Sequence, residues 1–184
     1  PLNMSSSANP TIKKTVRTIT LSAMLVTILY VQELLLTFLP NIQFTVLLIL
    51  VYASVLPLSM SMSIVMVYVF IDNFAFGTFS IMYTPGMAAA WITLCLVGYA
   101  LRHQKFVWIV VFATFFGLIY GWFYIPGRML EQGITDLKAY LIADLVPFGL
   151  ILIANNFLTV LIGYRKLKMY FVTLLTHYDL PLAP

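Results

Sequence analysis

Six long apolar stretches in succession constrain this chain more than any other feature. They cover residues 18–38, 44–58, 62–81, 87–101, 106–125 and 139–164. A helix needs about 20 apolar residues to cross a hydrocarbon core of about 30 Å. Within each stretch the apolar residues are continuous rather than alternating with polar ones, as the strands of a membrane barrel would require. Hydrophobic residues make up 62% of the 184, and charged residues only 9%, against about 25% in an ordinary soluble domain. A soluble domain of this length cannot bury so much apolar surface. The expected fold class is therefore an all-α integral membrane protein with six transmembrane helices, and a soluble, disordered or nucleic-acid-binding chain is excluded. Residues 1–16 read as a polar N-terminal arm, 17–168 as one six-helix transmembrane domain and 169–184 as a C-terminal tail. The second and fourth stretches are short, and each is open to a re-entrant reading.

Lys and Arg orient the bundle, because cytoplasmic loops carry an excess of them. Six spans put Lys13, Lys14, Arg17, Arg102, Lys105, Arg165, Lys166 and Lys168 on one side, and Arg128 and Lys138 on the other. Both termini are thus expected in the cytoplasm. The stops between spans are chemically plain: Tyr83-Thr84-Pro85-Gly86 and Tyr124-Ile125-Pro126-Gly127 both use proline to end one helix and glycine to leave it.

Three acids lie within apolar stretches: Glu33, Asp72 and Asp144. An acid at mid-bilayer costs roughly 2.5–3.5 kcal/mol, less toward the interface, so each should face the bundle interior or a wet cavity. The topology above places all three in the outer half of the membrane, on three different helices. Helical spacing sets Tyr30, Glu33 and Thr37 on one face of the first span, and Tyr68, Asp72 and Phe76 on one face of the third, with Asn73 beside them. Tyr140, Asp144 and Phe148 share a face of the sixth, where Pro147 is expected to loosen the helix. Acids flanked by aromatics suit a small-molecule pocket, and Asn41, Gln43, Tyr83, Trp122 and Tyr124 fall near its expected mouth. The candidate substrate-binding residues are Tyr30, Glu33, Thr37, Asn41, Tyr68, Asp72, Asn73, Tyr83, Trp122, Tyr124, Tyr140 and Asp144. Headgroup-level solvation of Glu33 and Asp144, and an interhelical structural bond at Asp72, are the bland alternatives. Asn155 and Asn156, deeper in the sixth span, read as interhelical hydrogen-bonding amides.

Several chemistries have no motif. There is no phosphate-binding Gly-x-x-x-x-Gly-Lys-Ser/Thr loop. His103 and His177 fall on the side opposite the acids, and the lone Cys95 forms no disulfide within the chain and builds no thiolate metal site. No catalytic residue, metal site or cofactor is expected. A ligand-binding or transport subunit energised from elsewhere fits these residues, with a small membrane enzyme or an assembly subunit as alternatives. In the first span Ser22, Ala23 and Thr27 include a small-x-x-x-small spacing, which lets a partner helix approach closely.

With these features the chain resembles the substrate-binding S component of energy-coupling factor (ECF) vitamin transporters. In that family an Ala-x-x-x-Ala motif of the first helix packs on a transmembrane coupling subunit. Here Ala23 matches, and Thr27 stands in place of the second Ala. Residues 38–43, Ile71-Asp72-Asn73 and Thr84-Pro85-Gly86-Met87 followed by Trp91 look most similar to members associated with cobalamin. The resemblance implies a multi-pass protein of a bacterial cell membrane that binds a vitamin from outside and topples to deliver it inward. It also implies two cytosolic ATPase subunits and a coupling subunit as partners, and no covalent chemistry in this chain. Cobalamin is the ligand the resemblance favours; hydroxymethylpyrimidine or thiamine, pantothenate and folate are alternatives.

Overall fold

Once in lipid, the backbone of each apolar stretch can satisfy its polar groups only within itself, and it does so as helix. The computed structural model describes residues 10–133 and 136–183, and within them there is no strand. The elements are α1 (Pro10–Leu36), α2 (Thr45–Val55), α3 (Leu58–Ala75), α4 (Thr84–Ala100), α5 (Phe106–Ile119), α6 (Ile125–Gln132), α7 (Leu137–Asp144) and α8 (Leu150–His177). A tight 3-10 turn, Tyr120–Tyr124, carries α5 into α6, and a π turn, Leu145–Gly149, carries α7 into α8. The eight segments thus form six rods, five of them long and apolar enough to cross a membrane. This is a multi-pass helical membrane protein. Its outward-turned side chains agree: Trp108, Phe115, Phe157 and Ile162 are all exposed, as lipid contact requires.

The prolines of the two Tyr-x-Pro-Gly motifs open helices rather than end them: Pro85-Gly86 and Pro126-Gly127, expected as stops, lie inside the first turns of α4 and α6, and the fifth rod runs on through the second pair. Pro57 precedes α3, and α4 and α6 each carry a proline in the first turn, where its missing N–H leaves no bond unmade. Pro147 falls in the π turn, and Val146 there leaves helical geometry (φ −116°, ψ 120°). The loosening expected at Pro147 is present.

The second rod differs from a full span. α2 has 11 residues, about 16 Å at 1.5 Å per residue, or roughly half the hydrocarbon core. All 11 are buried, because α1, α3, α4 and α8 pack around it. Its first turn is capped from another helix: Gln32 Oε1 of α1 accepts the Phe44 N–H at 2.8 Å. The rest of the passage is made by the irregular segment 37–44, with Asn41 in the left-handed region (φ 59°).

Two other boundaries shift. Helix begins at Pro10, inside the arm read as 1–16, of which residues 1–9 lie outside the described residues. α8 runs on past 164 to His177, and the chain then folds back so that the Ala183 N–H reaches the Val55 carbonyl at 2.8 Å. Half of the expected C-terminal tail is therefore helix.

The rods give the bundle two unlike ends. At one, Lys168 Nζ donates to the Arg102 carbonyl at 3.1 Å, and the Arg165 guanidinium lies 4.3 Å from the centre of the Phe106 ring. At the other, around segment 37–44, lie Glu33, Asp72 and Asp144.

Candidate functional site

Because α2 stops halfway, the acid end of the bundle lacks one helix in its interior. Segment 37–44 fills part of that space and leaves a cavity on each side. The first lobe, about 440 Å³, is lined by Glu33, Thr37, Asn41, Gln43, Asp72 and Phe76, among others. The second, about 420 Å³, is lined by Tyr120, Tyr124, Arg128, Tyr140, Asp144 and Phe148, among others. Pro40 and Asn41 belong to both walls, so this segment is the partition between them. It is held at three points. Asn41 Nδ2 donates to the Phe148 carbonyl at 3.0 Å, Asn155 Nδ2 donates to the Gln43 carbonyl at 2.7 Å, and Gln32 takes the Phe44 N–H.

A polar network forms the floor of the first lobe. The Tyr68 hydroxyl donates to Glu33 Oε2. Gln32 Nε2 donates to Thr45 Oγ1 at 2.8 Å, and Thr45 donates onward to Gln43 Oε1 at 3.2 Å. Asp72 is 6% exposed; its Oδ1 is buried and accepts no hydrogen bond. Glu33 lies close enough to repel its charge. A buried oxygen without a donor costs on the order of 1–3 kcal/mol, and a donor supplied from the cavity would relieve it.

The second lobe owes its room to glycine. A Cβ at Gly121 would collide with the Asp144 carboxylate, which sits against that turn of backbone. Tyr120 and Tyr124, their hydroxyls 2.8 Å apart, line this lobe; Tyr124 lies within electrostatic reach of Glu33, Asp72 and Arg128 alike. Arg128 stands 5.5 Å from the Tyr140 ring centre and 5.9 Å from that of Tyr83.

The sequence-derived residues divide accordingly. Glu33, Thr37, Asn41 and Asp72 line the first lobe; Asn41, Tyr124, Tyr140 and Asp144 line the second. Tyr68 lies beneath, fully buried and bound to Glu33. Tyr30 packs on Phe76, a wall residue, with 6.0 Å between ring centres. Three residues stand outside the cavity. Asn73 is buried and committed to the fold, donating to the Val69 carbonyl and accepting from Thr84 Oγ1 at 3.1 Å. Tyr83 flanks Arg128 rather than lining either lobe. Trp122 points outward, 45% exposed, into a shallow groove with Leu118, Leu141 and Ile142; the turn that aims Tyr120 and Tyr124 inward rotates it away. Asn156 Nδ2 bridges to the Ala113 carbonyl of α5 at 3.2 Å and meets the expectation of an interhelical amide, whereas Asn155 binds the irregular segment 37–44 and not a helix. On α1, Ala23 and Thr27 are exposed and Ser22 is partly so. The Thr27 hydroxyl is turned back to the Ala23 carbonyl at 2.8 Å, which leaves a smooth small-residue strip.

Tyr120, Arg128 and Gln32 belong to the site although sequence reading did not select them. Tyr120, Tyr124 and Arg128 recur every fourth residue, a spacing that marks one helix face. Gln32 carried no comparable signal, since its role depends on where α2 begins.

Fold and cavity together define a multi-pass helical membrane protein with a polar, ligand-sized recess at one end of its bundle. No protein-family model, curated protein or solved structure matches the chain. Among the described residues no group of His, Cys, Asp and Glu is placed to hold a metal ion.

Proposed function

We propose that this chain is the substrate-binding membrane subunit of an ECF-type vitamin transporter in a bacterial cell membrane. In this reading it is not an enzyme. It binds its vitamin from outside and delivers it inward with a transmembrane coupling subunit and two cytosolic ATPases. The observation that carries the reading is the two-lobed cavity, whose walls hold polar groups that the fold itself leaves unspent: Asp72 Oδ1 in one lobe and Tyr140 Oη in the other. Lobes of this size fall in the range of small-molecule sites, about 300–1,000 Å³. With eight of ten basic residues at the opposite end, the positive-inside bias turns the cavity outward and both termini inward. The exposed Ala23–Thr27 strip is the surface offered to the coupling subunit.

Cobalamin remains the first ligand to test, on the resemblance of residues 38–43, 71–73 and 84–91. The cavity favours a second reading as it stands: each lobe is far smaller than a corrinoid, so cobalamin needs segment 37–44 to lift and merge them. A smaller vitamin such as thiamine or its hydroxymethylpyrimidine part needs no such change. Purified protein, without ATP or partners, should bind a member of a panel of cobalamin, thiamine, hydroxymethylpyrimidine, pantothenate and folate, as read by native mass spectrometry. If none binds and a protein partner co-purifies regardless of ligand, an assembly role replaces the transport reading.

A further inference from the structure

The two lobes differ in what they leave unsatisfied. In the first the spare group is an acceptor, Asp72 Oδ1, beside a second carboxylate, Glu33. In the second the spare groups are donors. Arg128 Nε and the Tyr140 hydroxyl are both buried without a hydrogen-bond partner. Among the described residues Arg128 forms no ion pair; its guanidinium stands over the rings of Tyr140 and Tyr83 and within electrostatic reach of the Asp144 carboxylate. Asp144 lines the same lobe and lies beside the Gly121 backbone, where it can accept from a hydroxyl or amide. A guanidinium carries donors in a fixed fork that matches carboxylate and phosphate oxygens. Leaving the buried Nε–H without an acceptor is costly, and an oxyanion removes the cost.

We propose that the Arg128–Tyr140 lobe binds an oxyanion, a carboxylate or phosphate ester, of a ligand whose opposite, donor-bearing end is held by Glu33 and Asp72. This inference rests on the vitamin-binding reading and narrows its substrate class to bipolar molecules. A ligand with a cation or amide donors alone would fill one lobe and leave Arg128 empty. Asp144 adds a second requirement, a hydroxyl or amide donor close to the oxyanion. The partition made by Pro40 and Asn41 sets where the middle of such a ligand must pass.

Two pairs test the assignment: thiamine monophosphate against thiamine, and cobalamin against cobinamide, which lacks the phosphodiester together with its ribose and base, so that the Arg128 variants isolate the phosphate's share. Affinities are measured by titration on the wild type, Arg128→Gln and Arg128→Lys in detergent. The wild type should favour the phosphate-bearing member of whichever pair binds by at least about tenfold. That ratio should collapse to within about twofold in R128Q and be partly restored in R128K. If the wild type shows no preference, or R128Q retains it, the oxyanion lobe is refuted while vitamin binding stands. If neither pair binds, the choice of these vitamins fails instead. The lobe is then judged on its own by reacting Arg128 with phenylglyoxal and reading its peptide by mass spectrometry. Inorganic pyrophosphate should slow that modification several-fold, and an unchanged rate overturns the proposal.

Discussion

At the scale of single residues, Asp72 and Glu33 have unlike tasks although both are acids of the same lobe. Glu33 is already engaged, receiving the Tyr68 hydroxyl, whereas Asp72 Oδ1 is idle. Asp72→Asn replaces one acceptor oxygen by a donor and removes a charge without changing shape. It should weaken binding of a cationic or donor-rich ligand at least tenfold, about 1.4 kcal/mol, in a titration, with little change in Tm. Tyr68→Phe acts the other way. It strips Glu33 of its hydroxyl and leaves a polar group short of a partner inside the bundle, at a cost of about 1–3 kcal/mol. A lowered Tm in detergent is the expected reading, and an unchanged Tm would show that water replaces the phenol. Both acids were legible in the sequence because a charge in an apolar stretch must have a reason to be there. The division of labour was not, since it depends on Tyr68 arriving from another helix.

Among the elements, two decide the architecture. The α5–α8 contact is the first. A Cβ at Gly117 would come within 2.9 Å of both Cα and N of Ile153, and backbone cannot step aside as a side chain does. Gly117→Ala should therefore part these helices and destabilise the protein by about 1–3 kcal/mol. Gly98→Ala meets the end of the Leu50 side chain at 2.9 Å, which can rotate, so its loss of Tm should be the smaller of the two. The second is segment 37–44, whose central tie is the Asn41 bond to the Phe148 carbonyl, 107 residues away in sequence. Asn41→Ala should raise hydrogen exchange at the amides of 38–43 several-fold, with α2 itself unaffected because its packing does not involve that bond. The proline break in the last span could be read from local chemistry; the two Tyr-x-Pro-Gly motifs could not, since they begin helices instead of ending them. The half-length of α2 could not: residues 44–58 are apolar throughout, and only the turn at Leu56–Pro57 and the cap from Gln32 fix where helix begins and ends.

For the whole molecule, the separation of charge makes a prediction about orientation. Cys95 is fully buried, so a Cys95→Ala background is silent to thiol reagents. In intact cells a cysteine placed at Ser80, near the acid end, should react with a membrane-impermeant maleimide. One placed at Lys105 should react only after the cells are opened. The reverse pattern would invert the topology and place the cavity in the cytoplasm. Apolar length, the side-to-side imbalance of Lys and Arg, and the three isolated acids were all properties of the sequence. They determined that the chain is a helical membrane protein and which carboxylates need shelter, because hydrophobic transfer and charge burial act residue by residue. Which groups share a wall was decided only in three dimensions. A helix too short to fill its place leaves a hollow, and the polar atoms around a hollow come from segments as distant as Glu33 and Arg128. Tertiary packing also turned Trp122 out to the surface and Arg128 inward, since the path of the Tyr120–Tyr124 turn depends on neighbours that no local pattern encodes.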